Sequence, residues 1–175
     1  TSLLLPTLLK QAPKKCRIVC LSSSAHDMGS VDVSDLHFNK GRMYKPWVSY
    51  GQSKQGDLLY AKALAMHTKD TNVTSISVHP GVIATNLWRS TNPLMKSFVQ
   101  MFVTDKSIPQ GASCTVYAAL APVLQDDKYR GVYLCDCLVK TPTCESARDV
   151  DGSLSASFYK VMDEQVQEVV NSWKK

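Results

Sequence analysis

Apolar positions fall into three short runs separated by stretches of helical spacing. Ile18, Val19, Cys20 and Leu21 run continuously and stop at Ser22-Ser23-Ser24, the pattern of a buried parallel strand with polar residues at its carboxyl end. Residues 27–46 (DMGSVDVSDLHFNKGRMYKP) hold no period and carry Gly29, Gly41 and Pro46. They predict a long loop, and long loops in compact domains are commonly functional. From Pro46 to His67, Leu58, Ala61, Leu64 and Ala65 recur at helical spacing, with Leu59, Ala63 and Met66 widening the face. Pro46 suits a first helical turn. Asn72 to His79 alternates and is rich in β-branched residues, so it predicts a strand ended by Pro80-Gly81.

The second half continues the alternation. Ser107 is placed to cap a helix with Pro109 in its first turn and Ala112, Val116, Ala119 and Leu120 as its face, ending near Pro122. Arg130 to Asp136 predicts a third strand. Asp151 is placed to cap a last helix with Leu154, Phe158, Val161, Met162, Val166, Val169, Val170 and Trp173 on one side. Strand, helix, strand, helix, strand, helix is the order of an α/β protein with a parallel sheet. Three strands alone leave exposed edges. The expected fold class is therefore α/β, the carboxyl-terminal half of a doubly wound, Rossmann-type parallel sheet, with residues 1–175 as one domain.

Composition narrows the class. With 44% hydrophobic and 20% charged residues the chain has a globular balance, which excludes disorder. The net charge of +5 is scattered, Lys14-Lys15-Cys16-Arg17 being the one short cluster, so no nucleic-acid partner is expected. Six cysteines without a CxxC pair predict reduced thiols in a cytosol-facing compartment and no metal site. Cys135 and Cys137, two apart in GVYLCDC, are expected to share one face of a strand. No apolar run reaches the roughly 18–20 residues of a spanning helix. The first residue is Thr1, and residues 2–9 read as the last turns of an amphipathic helix, so a piece of a longer chain is expected.

Candidate chemistry centres on SYGQSKQG. In a helix Tyr50 and Lys54, four apart, project from one face. A free tyrosine has a pKa near 10, and a neighbouring ammonium favours the phenolate by charge proximity. Gly51 and Gly56 each cost the helix roughly 1 kcal/mol relative to alanine, so a close approach by a ligand or another helix is expected at them. SSSAH stands at one strand end and HPGVIAT at the next. In open α/β sheets, ligands bind outside the carboxyl ends of strands.

The order SSSAH, then YGQSK, then VHPGVIAT, followed by GASCTVYAA and GVYLCDC, resembles the short-chain dehydrogenase/reductase family, and within it the retinol dehydrogenase and WW-domain oxidoreductase branch. The resemblance implies that Ser23 hydrogen-bonds the substrate oxygen, that Tyr50 is the general acid or base, and that Lys54 tunes Tyr50 and holds the nicotinamide ribose. It further implies that Pro80, Gly81, Ile83 and Thr85 line the nicotinamide of an NAD or NADP cofactor, NADP slightly favoured. Residues 86–104, with Trp88, Leu94, Met95, Phe98, Met101 and Phe102, fall at the family's substrate-loop position, Trp88 being the candidate substrate contact. Their apolar character suits a hydrophobic alcohol or carbonyl such as a retinoid, steroid or lipid aldehyde. A homodimer is compatible with the resemblance.

The chain also departs from the family pattern. Its eight glycines, at 29, 41, 51, 56, 81, 111, 131 and 152, form no glycine-rich phosphate turn. The family's N-A-G stretch and catalytic asparagine are absent from the sequence. The expectation is an NAD(P)-dependent oxidoreductase half that alone turns over little, with a non-catalytic interaction module as the alternative. Other chemistries fit less well. Gly51-Gln52-Ser53 begins a nucleophile-elbow pattern, but Gln55 stands where its final glycine belongs. His26 and His79 match family positions and are expected to serve as hydrogen-bonded packing residues.

Overall fold

β2 (Val73–His79) is buried almost throughout and pairs in parallel with β1 (Cys16–Leu21) on one side and β3 (Tyr133–Cys135) on the other. The computed structural model describes residues 1–11, 13–83 and 106–173. An antiparallel β4 (Leu138–Lys140) completes a four-stranded sheet of order β1-β2-β3-β4. The sequence predicts one strand over Arg130 to Asp136, but the chain reverses at Asp136 and Cys137, both with positive φ (54° and 61°). Cys135 therefore ends β3 while Cys137 lies in the hairpin turn, and the two share no strand face. All six cysteines are free.

Five α-helices surround the sheet: α1 (Leu5–Leu9), α2 (Pro46–His67), α3 (Ile108–Leu120), α4 (Glu145–Arg148) and α5 (Ser153–Trp173) among the described residues. The alternation of β2 divides the sheet's faces. Ser75 points to α2 and donates its hydroxyl to the Ala61 carbonyl at 2.5 Å, the small serine allowing the helix to lie close. Ile76 and Val78 point the other way, into a cluster with Cys114 and Ala118 of α3 and with Leu134. Since α2 lies between the sheet and α5, it buries Leu58, Leu59, Ala61, Ala63, Leu64 and Ala65 around most of its circumference. Phe158 of α5 closes that side, packed with Leu59 and Val31.

Two expectations about helix faces change. The face of α3 that meets the sheet is Gly111, Cys114 and Ala118, whereas Val116 and Leu120 are 52% and 73% exposed. This helix is apolar on both sides, so periodicity alone does not say which side is inward. In α5 only Ser155 and Phe158 are buried, and Val169 and Trp173 at its far end are exposed. The first turn of α5 is held mainly by Asp149, whose carboxylate accepts the Leu154 and Ser155 amides at 3.0 and 2.8 Å. Asp151 accepts the Ser153 amide at 3.1 Å.

No helix among the described residues is long and apolar enough to cross a membrane.

Candidate active site

β1 and β2 run in register, Leu21 opposite Val78, so Ser22-Ser23-Ser24 and His79-Pro80-Gly81 leave the sheet at the same edge. Helix α2 arrives at that edge with its amino-terminal half. Lys54 donates from its ammonium to the Leu21 carbonyl at 2.8 Å, and the Ser22 hydroxyl donates to the Lys54 carbonyl at 2.6 Å. Helix and strand end are thus joined by two reciprocal hydrogen bonds, one of them charge-assisted.

Tyr50, half-buried, lies one turn before Lys54 on the same face. The Lys54 ammonium is 5.9 Å from the centre of its ring, and Trp47 meets the ring edge-on at 6.3 Å. Asp57 accepts from Lys54 at 3.0 Å, giving the lysine a carboxylate as well as a carbonyl partner. Nearby Cys20 has its thiol pushed up to about 11, first by burial and then by the negative charge of Asp57.

Ser23 caps a 3-10 turn over Ser24–Met28, its hydroxyl accepting the Ala25 amide at 3.2 Å. Its carbonyl accepts from the His26 amide and lies 2.6 Å from His26 Nδ1. His26 is buried edge-on against Tyr133, and its Nε2 stands 3.3 Å from Asp27. Asp27 in turn accepts from the Thr143 hydroxyl and from the Cys144 amide at 3.1 Å, fastening the serine-bearing loop to the segment after β4.

The two glycines of α2 have separate neighbours. A Cβ at Gly51 would stand 2.5 Å from the Gly29 nitrogen and 2.7 Å from the Ala25 carbonyl oxygen, so the helix packs backbone to backbone on the loop that follows Ser23. At Gly56 a Cβ would stand 3.0 Å from the ring of Phe158, so this glycine admits α5.

Gly81 has φ +89°, a conformation that favours glycine, and the side chain of Lys106 lies against it. Lys106 also contacts the Pro80 carbonyl and pairs with Asp136. Ile83 forms a parallel bridge with Lys106 and packs on Gly111 of α3. Ser23, Tyr50, Lys54, Pro80 and Gly81 are therefore gathered by the ends of two adjacent strands and one helix, while Ile83 turns toward α3. Thr85, Trp88 and the rest of residues 86–104 lie outside the described residues.

Sequence reasoning missed the residues that hold the long loop in place. Gln55 is fully buried, its Oε1 accepting the Val31 amide at 2.6 Å while its amide donates to Ser146 at 2.8 Å and Cys144 at 3.2 Å. Gln52, one turn earlier, donates to the Leu36 carbonyl at 2.9 Å and accepts from Arg42 at 2.8 Å. Two glutamines three apart among the buried positions of one helix were the available signal.

No family model matches the chain. Over 131 residues, 73% of the chain, it is 41% identical to the short-chain dehydrogenase TIC 32 A, chloroplastic, of Brassica napus, covering 40% of that protein. It is 36% identical to retinol dehydrogenase 12 of Mus musculus over 137 residues, 78% of the chain and 42% of the relative. Retinol dehydrogenase 14 of Homo sapiens matches at 33% over 141 residues, covering 40% of its length. The chain thus spans about two fifths of the length of these relatives. The crystal structure of an uncharacterized protein from Mycobacterium paratuberculosis superposes with a TM-score of 0.56 at 22% identity, covering 86% of this chain and 50% of that one, a likeness of fold alone.

Proposed function

The chain belongs to the short-chain dehydrogenase/reductase family, and from that membership we propose that it carries the proton-transfer half of an NAD(P)-dependent oxidoreductase acting on a hydrophobic alcohol or carbonyl. The observation that supports this reading is the pair of bonds between Lys54 and the end of β1, which anchors the Tyr50-bearing helix to the sheet edge from which the Ser23 and Pro80-Gly81 segments leave. Ser23 orients the substrate oxygen, and Tyr50 passes a proton to or from it. Lys54 lies beside the tyrosine ring and would hold the ribose hydroxyls of the cofactor. When bound, the nicotinamide supplies the hydride.

Two features bear on the nicotinamide end of such a cofactor: Gly81 takes a left-handed conformation with the Lys106 side chain against it, and the Lys54 ammonium stands 5.9 Å from the centre of the Tyr50 ring. The sequence contains no glycine-rich turn for the phosphates. As one domain of residues 1–175, the chain should therefore bind NADPH, the slightly favoured form, no more tightly than about millimolar and turn over little. NADPH fluorescence titration together with a hydrophobic aldehyde tests this: tight saturable binding with steady reduction overturns the weak-binding part. In a chimaera that supplies the glycine-rich half of a relative, Tyr50→Phe should abolish reduction while cofactor binding persists. Full activity in that variant would overturn the proton-transfer role.

A second reading, an interaction module or homodimer, is favoured by two features. Val116 and Leu120 of α3 present exposed apolar surface, and among the described residues β1 forms one edge of the sheet. Concentration-dependent association in sedimentation velocity would support it, and a monomer at all concentrations would oppose it.

A further inference from the structure

Away from the strand ends that gather Tyr50 and Lys54, a concavity of about 250 Å³ opens between α2, the β3–β4 hairpin and α4. It borders Lys62, eight residues and about 12 Å along the helix from Lys54. Its floor is apolar: Leu58, Tyr133 and Ala147 are buried and pack on one another. Its lips are apolar too, yet open to water, with Val139 50% and Val150 89% exposed.

The charges around this apolar groove have one sign. Lys62, Lys140 and Arg148 line it, and none of the lining residues is acidic. The Lys62 ammonium is held by the backbone carbonyls of Arg148 and Asp149, which fixes its charge at the groove without neutralising it. Neither Lys140 nor Arg148 has a side-chain hydrogen bond or ion pair among the described residues. Asp149, the acidic residue next to Arg148, spends both carboxylate oxygens on the first turn of α5.

An apolar floor bounded by cations suits a ligand with one anionic end and one hydrocarbon chain. A neutral lipid would leave the cations unanswered, and a small anion would leave the floor exposed. We propose that this groove binds a single-chain alkyl carboxylate, the chain over Leu58 and Tyr133 and the carboxylate toward Lys140 and Arg148. The site is separate from the candidate catalytic edge and does not depend on its chemistry.

The test uses the 175-residue chain and sodium decanoate, followed by amide shifts in 1H–15N NMR, with decanol and acetate as the tail-only and charge-only probes. The expected result is saturable shifts at Val132, Val139 and Val150 with decanoate, and at least tenfold weaker binding of either control. The double variant Lys140→Gln, Arg148→Gln, which changes two exposed side chains, should keep its circular dichroism spectrum and bind decanoate at least tenfold more weakly. Equal binding of decanol, unchanged affinity in the double variant, or shifts confined to other parts of the chain would overturn the assignment.

Discussion

Lys54 donates its ammonium to the carbonyl of Leu21 at 2.8 Å, so a helix side chain at the candidate site is anchored to the last residue of a strand. That one bond couples fold and chemistry. Replacing Lys54 with methionine keeps the hydrocarbon stem and removes the bond together with the Asp57 ion pair. A lost hydrogen bond of this kind costs about 1–2 kcal/mol, which for a chain of this size lowers Tm by roughly 2–8 °C. Differential scanning calorimetry should find a shift in that range, and an unchanged Tm would mean that the tether contributes nothing to folding.

Gly51→Ala tests the backbone contact beneath the site. Alanine favours the helix by about 1 kcal/mol over glycine, but here its Cβ would overlap the Gly29 nitrogen and the Ala25 carbonyl oxygen. Forced overpacking typically costs 1–3 kcal/mol, and backbone cannot rotate aside as a side chain can. Denaturant titration should show the variant destabilised, with the amides of residues 25–29 shifted. A stabilised variant would contradict this packing.

Asp35 gives a pH-dependent prediction. Burial pushes its carboxyl upward, but the amides of Asn39 and Lys40 together with Arg42 outweigh this and hold it below the usual carboxylate range. A depressed folded pKa means the stabilisation is fully present above the unfolded value of about 3.9 and is lost as pH falls through the lower folded value. Asp35→Asn should thus be less stable than the parent at pH 7, and the difference should shrink as pH falls below the usual carboxylate range. A difference that persists undiminished at low pH would show that the carboxylate charge is not the cause.

Cys20 should resist alkylation. With its thiol pushed up to about 11 by burial and by Asp57, it holds little thiolate at pH 8. Mass spectrometry after iodoacetamide treatment should find it unmodified in the folded chain and modified after denaturation. Because burial is the larger cause, Asp57→Asn should raise its reactivity only modestly.

Much of this structure can be read along the chain. The bounds of α2 follow from Pro46 and the helical spacing up to His67, and β1 and β2 from an apolar run and a β-branched alternation ended by polar or Pro-Gly punctuation. The gathering of SSSAH, Tyr50, Lys54 and Pro80-Gly81 follows from parallel strands sharing one carboxyl edge. Other features depend on partners distant in sequence. The Asp136-Cys137 reversal lacks the Asn-Gly or Asp-Gly signal that usually marks a two-residue hairpin. The inward side of α3 is chosen by small residues, Gly111 and Ala118, that let the helix approach the sheet, and not by its largest apolar side chains. Gln55 has no visible role until Val31, Cys144 and Ser146 are folded around it.

The proposal that the edge formed by β1, β2 and α2 receives a nicotinamide cofactor is tested most directly by NMR titration of the chain with NADPH up to millimolar concentrations. The account predicts shifts concentrated at Ser23, Tyr50, Lys54 and Gly81, weak in affinity and reproduced by reduced nicotinamide mononucleotide, which has the same nicotinamide end without the adenosine. Shifts absent from these four residues, or produced by NADPH and not by the mononucleotide, would contradict it.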